Sequence, residues 1–318
     1  MNFDLTDEQK DIIKAAREFA EKEFTDLAQE CYREERSPKQ LWEKACSLGF
    51  IGVFIPEAYE GPGLGFLEHC LINEEFWRVY PGIAHFVLSG IFGSEMVLFF
   101  GTEEQKKRWL PPLIRGKAFT GAAITEPDAG SDVSSIKTAA VLDGNEYVIN
   151  GTKTFITGGT IADYLPVLCL TEPHAKSRHE RFSVIMVETN RKGFEATKLK
   201  NKLGIRASDT AEISLSDVRV PKENLIGAAG KGFHQFMKFF DHTRIHVAAE
   251  ATGLAQGAME QAIKHVRTRQ QFGKPLASFQ VTQFKIAEMA TRIEAGRNLY
   301  QKAAVFAFCS PNALYCVS

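Results

Sequence analysis

The spacing of apolar residues changes twice along this chain, and this change constrains the fold more than any other feature. Helical spacing holds as far as Gly116, short segments rich in Val, Ile and Leu replace it in the middle third, and helical spacing returns after Gly232. We therefore predict an α+β protein with three domains. They are an all-α N-terminal domain (1–118), a central antiparallel β domain (119–228) built as a sandwich or barrel, and an all-α C-terminal domain (229–318).

Local signals place the individual elements. Thr6 and Gln9 form a capping box that begins the first helix. Further helices are predicted over 41–48 and from Thr102 to Leu113, ending near Pro111 and Pro112, and two long C-terminal helices join at 273–275. Asp143-Gly144-Asn145 predicts a hairpin. The predicted strands are 138–142, 147–150, 165–170, 182–187 and 213–220.

Composition excludes several classes of protein. The 318 residues are 44% apolar and 24% charged, which is typical of a globular chain. The 38 basic and 39 acidic residues leave a net charge of -1, so no overall field favours nucleic acid or an anionic membrane. The apolar stretch 83–100 is interrupted by polar residues, and the N-terminus resembles no targeting segment. We expect a cytoplasmic protein without membrane insertion, whose six scattered Cys are reduced core thiols.

Two segments carry residues suited to a polar ring or a phosphate. The first, AITEPDAGSDVSS at 123–135, offers the Thr125 hydroxyl, close approach at Gly130 and the small polar Ser131. The chemistry alone favours a plain Asx/Ser turn between two domains. In the second, NGTKTFITGG at 150–159, Phe155 precedes Thr157 by two residues. A ring system could therefore pack against Phe155 and accept a hydrogen bond from the Thr157 hydroxyl. The same pattern is typical of an ordinary strand.

Two further segments are weaker candidates for a functional site, and an ordinary structural role explains each of them better. The Gly-rich loop 56–65 lacks the spacing of a phosphate-binding fingerprint and is interpreted as turns. His242 and His246 lie one helical turn apart, but without a third ligand they do not predict a metal site.

Taken together, five motifs make the chain resemble the acyl-CoA dehydrogenase family from Leu5 to about Ala304. They are TEPDAGSD, NGTKTFITGG, PKENLIG, FDHTR and RTRQQFGKPLASFQ, in that order. The resemblance implies FAD at the junction of three domains, commonly in a homotetramer. It also implies α,β-dehydrogenation of an acyl-CoA in fatty acid metabolism, with electrons passed to a flavoprotein carrier.

The resemblance also implies roles for individual residues. Ile124, Thr125 and Ser131 match the flavin-binding loop, with Ser131 also near the thioester. Phe155, Ile156 and Thr157 match the segment beside the isoalloxazine, where family members commonly have Trp at the Phe155 position. The residues matching those that reach the FAD of a neighbouring subunit are Arg269, Gln271, Phe272 and Gln280. The stretch matching the acyl-CoA site contains Asp241, Thr243 and Arg244. An ion pair of Arg244 with Asp241 or another carboxylate is an equal alternative for that arginine.

The catalytic base is not assigned from the sequence. The family's usual catalytic Glu follows a Gly-rich stretch later than Ser318, so the resemblance predicts a C-terminally truncated chain with an incomplete helical bundle. Some relatives place the Glu at the position of Thr243, which cannot act as a base. Glu250 lies two turns further along the same face and is better explained as an ordinary helix residue. The alternatives are a catalytically silent FAD- or acyl-CoA-binding protein or fragment, and a flavin oxygenase or nitroalkane oxidase.

Overall fold

The computed structural model describes residues 4–309, and the chain divides into two compact units. Among the described residues, the helical unit comprises 4–29, 64–84 and 242–309, and the sheet unit comprises 30–63 and 85–241. This division differs from the three domains expected above, whose boundaries stay a prediction. The expected helix break at Pro311 and the apolar tail 312–318 lie outside the described residues.

Helices make up both ends of the chain, as predicted. They are α1 (Asp7–Glu34), α2 (Lys39–Ser47), α3 (Phe66–Val79), α4 (Pro81–Ser89), α5 (Ser94–Phe100), α6 (Glu103–Ile114), α7 (Gly232–Thr268) and α8 (Gln280–Cys309). The capping box is confirmed, since Thr6 and Gln9 exchange backbone-to-side-chain hydrogen bonds of 3.0 and 3.2 Å. The helix predicted from Thr102 to Leu113 is confirmed to within one residue at each end. Pro111 and Pro112 lie inside the helix, because their carbonyls still accept hydrogen bonds from Arg115 and Lys117.

The central third forms one seven-stranded sheet. Its strands are β1 (Ala139–Asp143), β2 (Glu146–Thr157), β3 (Tyr164–Leu170), β4 (Phe182–Glu188), β5 (Phe194–Lys198), β6 (Thr210–Pro221) and β7 (Leu225–Ile226). Their order is β5-β6-β2-β1-β3-β4-β7. The sheet is mixed rather than wholly antiparallel, because after the β1–β2 hairpin the chain returns to the other edge of β1, where β3 runs parallel to it. Hydrogen bonds join all seven strands in one continuous sheet, and the expected sandwich or barrel stays a prediction.

The sheet unit is buried around β3 and β4. Six successive residues of each strand are buried, so both faces of the sheet are covered there. Trp42, Phe86 and Phe119 pack together with ring centroids 5.3 and 5.5 Å apart. The predicted reduced thiols are confirmed for Cys31, Cys46, Cys70 and Cys169, which are free and buried across the two units.

The helical unit is held by close helix packing and buried ion pairs. Phe19, Phe24 and Phe76 form an aromatic cluster with centroid separations of 5.2 to 5.9 Å. A Cβ at Gly253 would lie 2.1 Å from the Glu74 carbonyl oxygen, so α7 reaches α3 this closely only with glycine there. Between α7 and α8 a short hairpin pairs β8 (Gln270–Gln271) with β9 (Lys274–Pro275).

One stretch, Pro81–Phe100, is long and apolar enough to cross a membrane by length and composition. However, 72% of it is buried within the protein, as in an internal helix. The expected absence of membrane insertion stays a prediction.

Candidate functional site

The loop 124–131 of the sheet unit begins beside β3. Ala123 donates its amide to the Pro166 carbonyl, and Leu168 donates to the Ala123 carbonyl, each at 3.0 Å. The next residue, Ile124, is buried, whereas Thr125 is half-buried. The Thr125 hydroxyl has no protein partner within residues 4–309, so it is available to a ligand.

A tight turn follows Thr125. The amides of Glu126 and Ala129 each donate to the other residue's carbonyl, at 2.9 and 3.1 Å. Beyond it Ser131 is exposed, and Asp132 accepts a 2.6 Å hydrogen bond from the Ser134 hydroxyl and a 3.0 Å bond from Arg178. The Ser134 hydrogen bond, with help from the Arg178 charge, lowers the pKa of the Asp132 carboxyl. The expected polar turn is therefore present, and it presents Ser131 to solvent.

Phe155 has two features that folding alone does not explain. It has a φ of 58°, in the left-handed region that costs a residue with a side chain free energy. It lies where the β2–β6 register shifts between Lys153 and Ile156, and its side chain is 68% exposed. Strain together with an exposed aromatic ring indicates a surface kept for a ligand.

The loop and the Phe155 segment are joined in the structure. The Thr154 amide donates to the Thr125 carbonyl at 2.9 Å, so Thr125 is tied to the residue immediately before Phe155. Ile156 is buried and Thr157 is half-buried, where it pairs with Thr210 of β6. The structure thus joins Thr125 of the loop to the segment that contains Phe155, Ile156 and Thr157.

Two residues of this site were missed by the sequence analysis. Lys153 and Glu126 form a buried ion pair with a 2.9 Å separation behind the loop. Both lie within quoted motifs, TEPDAGSD and NGTKTFITGG, so the signal was a charged residue inside each motif.

The second predicted set lies in the helical unit, on and near the β8–β9 hairpin. Phe272 and Gly273 form its two-residue turn with φ values of 54° and 74°. Such turns favour Asn at the first position, yet Phe272 stands there and is 91% exposed. Arg269, Gln271 and Gln280 are exposed as well. A guanidinium, two amides and a strained ring are therefore all directed away from the unit's own core.

The predicted acyl-CoA residues lie on α7 with different degrees of burial. Thr243 is buried, Arg244 is exposed, and Asp241 is half-buried. Asp241 belongs to the sheet unit, whereas Thr243 and Arg244 belong to the helical unit. Their role at a thioester stays a prediction.

Buried titratable groups follow on the same helix. His242 and His246 are buried, and the His246 ring lies 5.5 Å from the ring of His69 on α3. Within residues 4–309 no group of three or more His, Cys, Asp or Glu side chains is placed to hold a metal ion. Glu250 is 9% exposed, and burial raises the pKa of its carboxyl to about 8.

The residues of the sheet unit fit the flavin that the resemblance implies. A flavin ring needs an aromatic or apolar surface to pack on and hydrogen-bond donors at its polar edge. Phe155 provides an exposed ring, and Thr125 provides a hydroxyl without a hydrogen-bond partner among residues 4–309.

Comparison with known proteins identifies the same relationship along nearly the whole chain. Three sequence profiles match, described as the N-terminal, middle and C-terminal domains of acyl-CoA dehydrogenase, at residues 6–117, 121–218 and 230–307. The acryloyl-CoA reductase (NADH) of Anaerotignum propionicum is 42% identical over 306 residues, which are 96% of this chain and 77% of that protein.

Solved structures agree. Butyryl-CoA dehydrogenase from Megasphaera elsdenii superposes with a TM-score of 0.94 at 35% identity, covering 100% of this chain and 84% of that one. A glutaryl-CoA dehydrogenase from Mycobacterium smegmatis in complex with FADH2 gives 0.90 at 28% identity, covering 98% and 80%. The expected C-terminal truncation is not borne out by these matches.

Proposed function

Because this chain belongs to the acyl-CoA dehydrogenase family of oxidoreductases, we propose that it binds FAD and dehydrogenates an acyl-CoA thioester to the 2-enoyl-CoA. The observation that carries this proposal is the strained, exposed Phe155 joined through Thr154 to Thr125, whose hydroxyl has no protein partner within residues 4–309.

The proposed roles follow from what each group offers. Phe155 packs against the flavin ring, and Thr125 donates its hydroxyl to the ring's polar edge. Ile124 and Ile156 are buried and hold these two neighbours in place, and Ser131 lies exposed where the thioester end of a substrate can reach it. When bound, FAD supplies the acceptor for the β hydride.

The protein must also remove the α proton, which requires an ionised carboxylate within hydrogen-bond reach of the α carbon. Burial raises the pKa of the Glu250 carboxyl to about 8, which suits a general base, but Glu250 lies two helical turns beyond Thr243, the position at which some relatives place the catalytic Glu. We leave the base unassigned. The acryloyl-CoA reductase relative is named for the reverse reaction, and the direction in this chain depends on its electron partner.

We further propose an electron-transferring flavoprotein as that partner, and a homo-oligomer in which Arg269, Gln271, Phe272 and Gln280 reach the FAD of a neighbouring subunit. The exposure of all four side chains supports this. So do large apolar residues exposed on α8, namely Val281, Phe284 and Leu299.

The test is the colour of the purified protein. We expect a yellow protein whose flavin absorbance bleaches anaerobically when a saturated acyl-CoA is added and returns with an electron acceptor. A yellow protein that no acyl-CoA bleaches supports the alternative of a silent FAD- or acyl-CoA-binding protein. A correctly folded protein that retains no FAD overturns the proposal.

A further inference from the structure

The Lys153–Glu126 pair lies behind the proposed flavin site and contacts three segments at once. Lys153 belongs to β2 and is 0% exposed. Its ammonium donates to the Ile124 carbonyl and to the Glu126 carboxylate, each at 2.9 Å. One buried cation therefore holds the residues on both sides of Thr125.

Glu126 completes the connection on the other side. Its carboxylate accepts the backbone amides of Lys137 and Thr138, at 2.6 and 2.9 Å, immediately before β1. Burial raises the pKa of this carboxyl, but the Lys153 charge and the hydrogen bonds outweigh that effect and lower it overall. Burial lowers the pKa of the Lys153 ammonium, which the Glu126 charge opposes. Both groups are charged, because the Glu126 carboxylate accepts three hydrogen bonds, one of them from the Lys153 ammonium.

The pair acts on Thr125 through short paths. The Ile124 carbonyl and the Glu126 carboxylate accept hydrogen bonds from the Lys153 ammonium, and the Thr125 carbonyl accepts one from the Thr154 amide. The three loop residues are thus bound to two successive residues of β2, directly before Phe155. Stability alone does not demand a charged pair here, because the desolvation of two buried ions offsets most of their attraction.

We propose that Lys153 and Glu126 are positioning residues, which fix Thr125 relative to Phe155 so that the flavin site is formed before the cofactor binds. This inference rests on the proposed function. Neither residue touches the cofactor in this proposal, since both are buried beneath the loop.

Variants of the pair separate positioning from stability. In Lys153→Met the Ile124 carbonyl loses its donor and Glu126 its counter-ion, so both the melting temperature and FAD affinity should fall. In the double variant Lys153→Met/Glu126→Gln no uncompensated charge is buried, so the melting temperature should partly recover. The FAD dissociation constant should stay about tenfold above wild type, because Ile124 is still not held.

Asn224→Ala is the matched control. Asn224 is buried in the same unit and donates hydrogen bonds to the Met186 carbonyl and the Glu188 carboxylate. Both partners belong to β4, which β1 and β3 separate from β2 in the sheet. Its loss should lower the melting temperature comparably and change FAD affinity by less than about threefold. Amide hydrogen exchange of the cofactor-free protein adds a second measurement. We expect faster exchange over 124–138 in both Lys153 variants but not in the control.

The outcomes are distinguishable. Wild type that binds no FAD overturns the proposed function and this inference with it. The second outcome is that the wild type binds FAD but Lys153→Met changes FAD affinity and loop exchange no more than Asn224→Ala does. This outcome overturns the positioning role alone. Recovery of wild-type FAD affinity in the double variant also overturns it.

Discussion

Arg297 on α8 donates two hydrogen bonds to one carboxylate oxygen of Glu74 on α3, at 2.9 and 2.7 Å. The other oxygen accepts the Tyr300 hydroxyl. Glu74 is buried, so this carboxylate depends on α8 for its partners. The pair fastens the last described helix to the helical unit.

Replacing Arg297 with Met should destabilise the protein by about 2 kcal/mol, because Glu74 is left buried with one partner fewer. The measurement is the midpoint of thermal or urea unfolding. Arg292→Met is the control, since Arg292 pairs with Glu288 in solvent and its loss should cost less than about 0.5 kcal/mol. Equal effects of the two variants would contradict the structural role of Arg297.

Phe155→Gly should have opposite effects on stability and on cofactor binding. Glycine adopts the φ of 58° without strain, so the cofactor-free protein should be more stable by about 1 kcal/mol. FAD affinity should fall, because the packing surface is gone, and Phe155→Trp should keep it. Thermal unfolding without FAD and a flavin titration measure the two effects. A Phe155→Gly protein that binds FAD as tightly as wild type would remove the ring's proposed role.

Phe272→Asn should favour the β8–β9 hairpin turn and weaken the proposed contact of this residue with the FAD of a neighbouring subunit. Asn suits the left-handed first position of this turn, so the melting temperature of the cofactor-free protein should stay equal or rise slightly. Because Phe272 is 91% exposed, its ring contributes little to its own unit. We expect less FAD retained per chain after dilution, read from flavin absorbance. Unchanged retention would argue against a contribution of Phe272 to a neighbouring site.

Glu250 should make stability fall as pH rises. Its carboxyl has an ordinary pKa of 4.5 in the unfolded chain and about 8 in the folded protein, so between these values the folded state binds more protons. The free energy of unfolding is therefore fully retained below the lower value and decreases as pH rises toward the upper one. Glu250→Gln removes this dependence. At a pH of about 9 it should be more stable than wild type by on the order of 3 kcal/mol, with little difference at a pH of about 4.

The same variant tests the chemistry. Glu250 lies two helical turns beyond the Thr243 position and is too far away to remove the same proton, so Glu250→Gln should retain bleaching of the flavin by acyl-CoA if wild type shows it. Loss of bleaching with normal FAD content would instead make Glu250 the base.

Local signals were sufficient where neighbouring residues decide the outcome. The Thr6–Gln9 capping box and the turn at Gly144 depend on residues three or fewer positions apart, and both form as predicted. The helix that contains Pro111 and Pro112 also forms as predicted, since it ends at Ile114, one residue beyond the predicted Leu113. The parallel β1–β3 pair was missed, because the edge to which a strand returns is a long-range choice.

The sequence alone determined the succession of helical and β regions, the two motif segments, and which residues of those segments could serve a flavin. Periodicity and motif spacing are properties of the sequence itself, so they can be recognised without the structure. Only the tertiary structure decided that Phe155 is strained and exposed, that Glu250 is buried enough to hold its proton, and that Lys153 reaches Glu126 behind the loop. Burial and pairing arise from residues distant in the chain, and these contacts set both the backbone strain and the charge states.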